Sequence, residues 1–156
     1  MIEQVIEQTL QKSEMVSWNN SYSVGVSTID EQHQELIKTT NALFVACLEG
    51  REVVGNSFKE TVHMAVDYIR HHFKYEENLL TKISYPAIAE HKAQHELFVK
   101  KVLEEVAKFE SGNRFAPNTF VRFLQEWILT HIAIHDKKYG LFCAKLRAEG
   151  KIIPLD

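Results

Sequence analysis

Proline and glycine are scarce in this chain of 156 residues, with three copies of the first and six of the second. Those few breakers sit where helices would end, which leaves long uninterrupted helical stretches between them. Cysteine is nearly absent. Cys47 and Cys143 both fall at core-facing helical spacing and read as free buried thiols, not as a disulfide. No apolar run is long enough to span a bilayer, which excludes membrane insertion through a helix. The start, Met1-Ile2-Glu3-Gln4, is acidic and lacks a hydrophobic signal region, so a cytoplasmic location is expected. Positive charge is not in excess, the formal net charge being -3, and nothing points to a nucleic-acid partner.

Hydrophobic residues make up 45% of the chain and charged residues 25%, as expected for one soluble domain with a real core. The unusual feature is eight histidines. Thr28-Ile29-Asp30-Glu31 has the form of a capping box and opens a helix running to about Gly50. Its inward stripe is His33, Leu36, Ile37, Thr40, Leu43, Phe44 and Cys47. A second helix is expected from about Ser57 to Lys82, with Phe58, Val62, Ala65, Ile69, His72, Glu76 and Leu80 inward. Ser84-Tyr85-Pro86 reads as an N-cap with a proline in the first turn of a third helix. That helix carries Ile88, His91, His95, Phe98, Val102, Val106 and Phe109, and Ser111-Gly112-Asn113 breaks it. Pro117 opens a fourth, with Phe120, Phe123, Leu124, Trp127, Ile128 and His131 inward. It ends near Gly150, and Gly140 is a weak point inside it. Four long amphipathic helices with short connections imply an all-α, antiparallel up-down four-helix bundle. The expected layout is an N-terminal extension over 1–15, a bundle over 16–150 and a tail over 151–156. Residues 2–13 have helical spacing, and Trp18 to Val26 reads as an extended arm across the bundle.

Every one of the four helices places a histidine on its apolar stripe. His72 and Glu76 lie on one face at i, i+4. An imidazole and a carboxylate turned into an apolar interior are costly unless something satisfies both, and a metal does so. The pair His91 and His95 has the same spacing. Imidazole suits iron, zinc, copper or nickel, and bridging carboxylates suit a pair of hard ions. Five imidazoles with two carboxylates exceed the needs of one tetrahedral zinc and suit two metals. A ferritin-like site wants paired Glu-x-x-His motifs. This chain has one, Glu60 to His63, off the stripe, and His63 and His71 read as surface residues.

The motifs Asp30-Glu31-Gln32-His33, His72-Phe73-Lys74-Tyr75-Glu76-Glu77, Tyr85-Pro86 followed by His91-x-x-x-His95, and His131-Ile132-Ala133-Ile134-His135-Asp136 with Tyr139, occur in this order. Together with Trp18 in the arm, they resemble the hemerythrin-like family, specifically its bacterial members, over about residues 16–148. The resemblance implies reversible dioxygen binding at a non-haem di-iron centre, for oxygen transport, storage or delivery, and not an enzyme. It implies His33, His72, His91, His95 and His131 as metal ligands. It also implies Glu76, Asp136 and an oxo or hydroxo group as bridges between the two iron ions. By the same resemblance, His91, His95 and His131 hold one iron, and His33 and His72 hold the iron with an open position. Phe73, Trp127, Ile128 and Ile132 match the family's oxygen-pocket positions. Tyr139 is placed to hydrogen-bond a bridging carboxylate. Other roles open to such a fold are an oxygen- or redox-sensing module and peroxide or nitric oxide chemistry. A protein partner or weak self-association through the N-terminal segment is a further expectation.

One residue of this set resists helical phase. At 3.6 residues per turn, Asp136 is rotated about 140° from His131, whereas His135 is in phase with it. Asp136 therefore enters through the family motif and not through periodicity.

Overall fold

The computed structural model describes residues 1–5 and 14–154. Most of the expected helix over residues 2–13 lies outside the described residues. Four long helices dominate: α1, Ser27–Glu49; α2, built of Arg51–Asp67, a π-helical stretch Tyr68–Phe73 and Lys74–Lys82; α3, Ile88–Glu110; and α4, built of Ala116–Trp127, a π-helical stretch Ile128–Asp136 and Lys137–Ala148. No described helix is long and apolar enough to cross a membrane.

A polar layer divides the core in two. One apolar cluster holds Leu36, Phe58, Phe73, Phe98, Phe120, Trp127 and Ile132, and the other holds Ile29, Leu79, Leu80, Tyr139 and Cys143. Between Ile29 and Leu36 on α1 lies His33. Between Phe73 and Leu79 on α2 lies Glu76. His91 and His95 precede Phe98 on α3, and Asp136 lies between Ile132 and Tyr139 on α4. The chain therefore passes from the second cluster to the first on α1 and α3 and back on α2 and α4. This is the up-down antiparallel order expected from the short connections. Aromatic rings fill the larger cluster: Phe58 stacks on Phe109 with centroids 4.3 Å apart and meets Phe120 edge-on at 5.6 Å. Truncating such a ring costs about 3–5 kcal/mol.

Several helix ends differ from the sequence reading. The capping box at Thr28 does not form, because α1 already begins at Ser27 with no side-chain cap. Asp30 turns outward to the arm instead, accepting from the Ser23 hydroxyl at 2.5 Å and the Val24 amide at 2.9 Å. Helix α2 begins at Arg51 and not near Ser57, since Gly50 alone, at φ 106°, reverses the chain. Val54 then packs on the core and holds that first turn down. Ser84 is not an N-cap. It takes a left-handed conformation, φ 53°, where α2 ends, and the Tyr85 amide closes the turn on the Leu80 carbonyl at 2.9 Å. Pro117 does open α4, in its first turn.

The segment from Met15 to Val26 is an arm with one 3-10 turn, Asn20–Tyr22. Asn41 grips its start: its Oδ1 accepts from the Met15 and Val16 amides and its Nδ2 donates to the Val16 carbonyl at 2.7 Å. Lys137 donates to the Ser23 carbonyl at 2.9 Å. At Gly140 the arm touches α4 so closely that a Cβ would lie 2.9 Å from the Val24 Cα and 3.0 Å from its carbonyl oxygen. Gly140 is therefore a fitted contact and not a flaw in the helix. Gly140→Ala gains helix propensity, about 1 kcal/mol, yet forces the arm away. A net loss of about 1–3 kcal/mol is expected, read from the midpoint of chemical denaturation. An unchanged or raised midpoint would show that the arm yields freely.

Candidate metal centre

The polar layer gathers His33, His72, Glu76, His91, His95, His131 and Asp136, all buried. Their ligand atoms form two overlapping groups that share Glu76: Glu76 with His91, His95 and His131, and Glu76 with His33, His72 and Asp136. The atoms of each group lie within 4.8 Å of one another. Glu76 Oε2 is 3.0 Å from the Nε2 of both His91 and His95 and 3.7 Å from that of His72. Asp136 spans the layer in the same way. Its Oδ1 is 3.0 Å from His131 Nε2 and 3.4 Å from His91 Nε2, and its Oδ2 is 3.2 Å from His33 Nε2. Three imidazoles thus stand on one side of the two carboxylates and two on the other.

The π-helical stretch Ile128–Asp136 explains how Asp136 joins this group. Hydrogen bonds from i to i+5 widen the turn, so residues five apart approach one face, and such turns recur at functional sites. His131 and Asp136 are such a pair, and so are Tyr68 and Phe73 in the other π stretch, with ring centroids 5.1 Å apart. His135, in phase in a regular α-helix, is only half-buried here and meets the Gln94 amide at 3.3 Å. His63 and His71 are exposed.

Three of the outer ring nitrogens are tied to acceptors, while His33 Nδ1 is buried without one among the described residues. His72 Nδ1 meets Gln32 Oε1 at 2.7 Å, His95 Nδ1 meets Glu77 Oε1 at 2.7 Å, and His131 Nδ1 meets Gln94 Oε1 at 2.6 Å. An acceptor at Nδ1 places the proton there and leaves Nε2 as a free lone pair directed inward. Sequence reading missed all three partners. Glu77 in particular lies off the apolar stripe, where it looks like an ordinary solvated residue. The Tyr139 hydroxyl donates to Glu76 Oε1. Phe73 stacks on His95 at 3.8 Å and Trp127 on His131 at 3.9 Å, and Ile128 and Ile132 are fully buried beside them.

Within the described residues, the Nε2 atoms of His33, His72, His95 and His131 and both Asp136 oxygens are buried with no partner in hydrogen-bond geometry. Several are near an opposite group, as the distances above show, but are not directed at a shared proton. Each such atom costs about 1–3 kcal/mol. The donor set fits metal ions: neutral imidazole lone pairs and carboxylates converge from four helices, and a cation satisfies them together.

The electrostatics favour that binding form at His72 and Glu76. Burial pushes His72 down from 6.5 to about 3; Glu76 opposes this and His33 reinforces it. Burial alone would raise the Glu76 carboxyl, but His72, His91 and His95 outweigh it and hold the group well below its usual range. His91 goes the other way: the Glu76 hydrogen bond and the neighbouring carboxylates outweigh burial and raise its value, so a cation binding there displaces a proton. Because the folded His72 takes up a proton only near 3, while the unfolded chain does so near 6.5, the metal-free fold loses stability as pH falls through that interval. In the metal-free protein, His72→Gln is expected to lose less stability than wild type between about pH 6.5 and pH 4. Equal losses in thermal melts would show that protons reach His72 without unfolding.

Four antiparallel helices that each turn histidine toward two shared carboxylates define a histidine–carboxylate cation-binding bundle. The hemerythrin HHE cation binding domain matches residues 24–141, and the chain belongs to the hemerythrin family. A bacteriohemerythrin of Stenotrophomonas maltophilia is 33% identical over 127 residues, which covers 81% of this chain and 80% of that protein. A hemerythrin-like protein of Naegleria gruberi is 28% identical, covering 79% of this chain and 89% of that one. A crystal structure of wild-type hemerythrin aligns with a TM-score of 0.68 at 29% identity, over 81% of this chain and 96% of that one.

Proposed function

We propose that this protein binds dioxygen reversibly at a pair of iron ions, as an oxygen carrier or store and not as an enzyme. The observation that carries this reading is the uneven donor set: three imidazoles on one side of the shared carboxylates and two on the other. A side with one donor fewer leaves a position for an outside ligand. His91, His95 and His131 would hold one ion and His33 and His72 the other, with Glu76 and Asp136 between them. A ferrous pair held there would supply the two electrons that reversible dioxygen binding requires.

The chain's own groups serve that reversibility. Gln32, Glu77 and Gln94 fix three imidazoles in the tautomer that ligates. Tyr139 holds Glu76 through its second oxygen. Phe73, Trp127, Ile128 and Ile132 line the layer on its larger apolar side, where they exclude the water that would carry in protons and make the oxidation permanent. Cys47 and Cys143 are free thiols, which suits the reducing cytoplasm.

The test is anaerobic reduction of iron-loaded protein followed by cycles of oxygen and vacuum. Two irons per chain and charge-transfer absorption that appears with oxygen and disappears without it are expected. Absorption that appears once and never reverses would exclude a carrier role. A companion pair of variants tests the ligand assignment. Asp136→Ala is expected to weaken iron retention beyond the roughly 10–100-fold typical of an outer hydrogen-bond partner. His135→Ala is expected to leave retention near wild type. The reverse order would transfer the role from Asp136 to His135.

A further inference from the structure

Each π-helical stretch is preceded or opened by an aromatic residue that lies flat on a histidine of the metal centre. Trp127 lies four residues before His131, with planes at 13° and centroids 3.9 Å apart. Tyr68 lies four residues before His72, with planes at 16° and centroids 4.2 Å apart. Both residues are almost wholly buried, at 7% and 5% exposure. Both end in a polar atom, the Trp127 Nε1–H and the Tyr68 hydroxyl. The two lie within side-chain hydrogen-bond reach of one another inside the larger apolar cluster, but within the described residues neither atom makes a bond of good geometry, and the phenol proton is left to donate. Buried donors without a partner are rare in folded proteins and call for an explanation.

The position of Tyr68 supplies one. Its ring covers His72, which stands on the side with two imidazoles, and the charges of Asp136 and Glu76 both act on its hydroxyl. A surface groove of about 400 Å³ between α1 and α2 is lined by Gln32, Met64, Tyr68 and His72, so it abuts the same imidazole. A phenol is protonated at neutral pH and can donate. Phenylalanine would serve the stacking alone, so the hydroxyl is surplus to packing.

We infer that the Tyr68 hydroxyl, seconded by Trp127 Nε1–H, is a hydrogen-bond donor to a small ligand held on the His33–His72 side, and so sets which ligands the centre retains. The ligand class is small molecules with an acceptor atom beyond the one that meets the metal, such as dioxygen or azide. This rests on the di-iron reading above, and the experiment separates the two.

The probe is azide added to the diferric protein, with Tyr68→Phe as the variant, which keeps the ring on His72 and removes one oxygen. Wild type is expected to hold two irons and bind azide, with an azide stretching frequency that shifts in deuterium oxide. The variant is expected to hold the same iron, bind azide about tenfold more weakly and show a smaller isotope shift. The metal-free variant is expected to melt no lower than metal-free wild type, because a hydroxyl without a well-formed bond contributes little to folding. Unchanged azide affinity and isotope shift overturn the proposal. So does a lower melting temperature of the metal-free variant, which would assign the hydroxyl to a structural bond with Trp127, and so does loss of iron from the variant alone. Wild type that holds no iron pair overturns the di-iron reading itself.

Discussion

The rest of the structure depends on keeping five imidazoles and two carboxylates out of water in one layer of an otherwise apolar bundle. No packing of hydrocarbon around them can make this favourable by itself. The fold meets the constraint from two sides. Outward-facing nitrogens are handed to Gln32, Glu77 and Gln94 near the surface, and inward-facing atoms are left converging on a common volume. The layer thus carries a free-energy deficit that cations remove. Metal affinity and folding stability are then two expressions of one quantity.

The same layer organises the apolar residues. It divides the core into a larger aromatic cluster and a smaller aliphatic one. The larger cluster supplies aromatic faces to His72, His95 and His131. Each stacked ring fixes the plane of an imidazole whose Nδ1 is already tied, so these histidines have little freedom left. The smaller cluster supplies Tyr139 and, with it, the grip on Glu76. A third buried carboxylate, Glu105 outside the layer, shows how such a group is satisfied without a metal. Its oxygens are taken by Thr119 at 2.6 Å, Lys108 at 3.0 Å and Lys101 at 3.1 Å.

Much of this was legible in the sequence, and the parts that were not share physical causes. The four helices followed from hydrophobic spacing because breakers are few. His33, His72, Glu76, His91, His95 and His131 stood out because each interrupts an apolar stripe at regular phase. Asp136 did not, because periodicity assumes 3.6 residues per turn and the chain there winds more loosely. Hydropathy favours Ile69 over its neighbour Tyr68 on a helical face broad enough to admit either, yet Tyr68 is the buried one. It favours Val62 over Thr61 in the same way; Thr61 is buried and Val62 only half-buried. Gln32, Glu77 and Gln94 look like any polar residue at the edge of a buried face, and only three-dimensional proximity reveals their acceptors.

The loosely wound turn of α4 also acts as a spacer along the chain. It holds more residues per revolution than its flanks, so the orientation of all that follows depends on it. Lys137 reaches back to Ser23, Tyr139 enters beneath Glu76, and Gly140 lies under Val24. Rewinding the stretch to a regular α-helix at unchanged length would turn this trio by about 100° relative to the bundle. Such a rewinding would unseat the arm, release Glu76 from Tyr139 and swing Asp136 aside together. Substitution at any single point of the trio breaks one contact, whereas the winding of this segment governs them all.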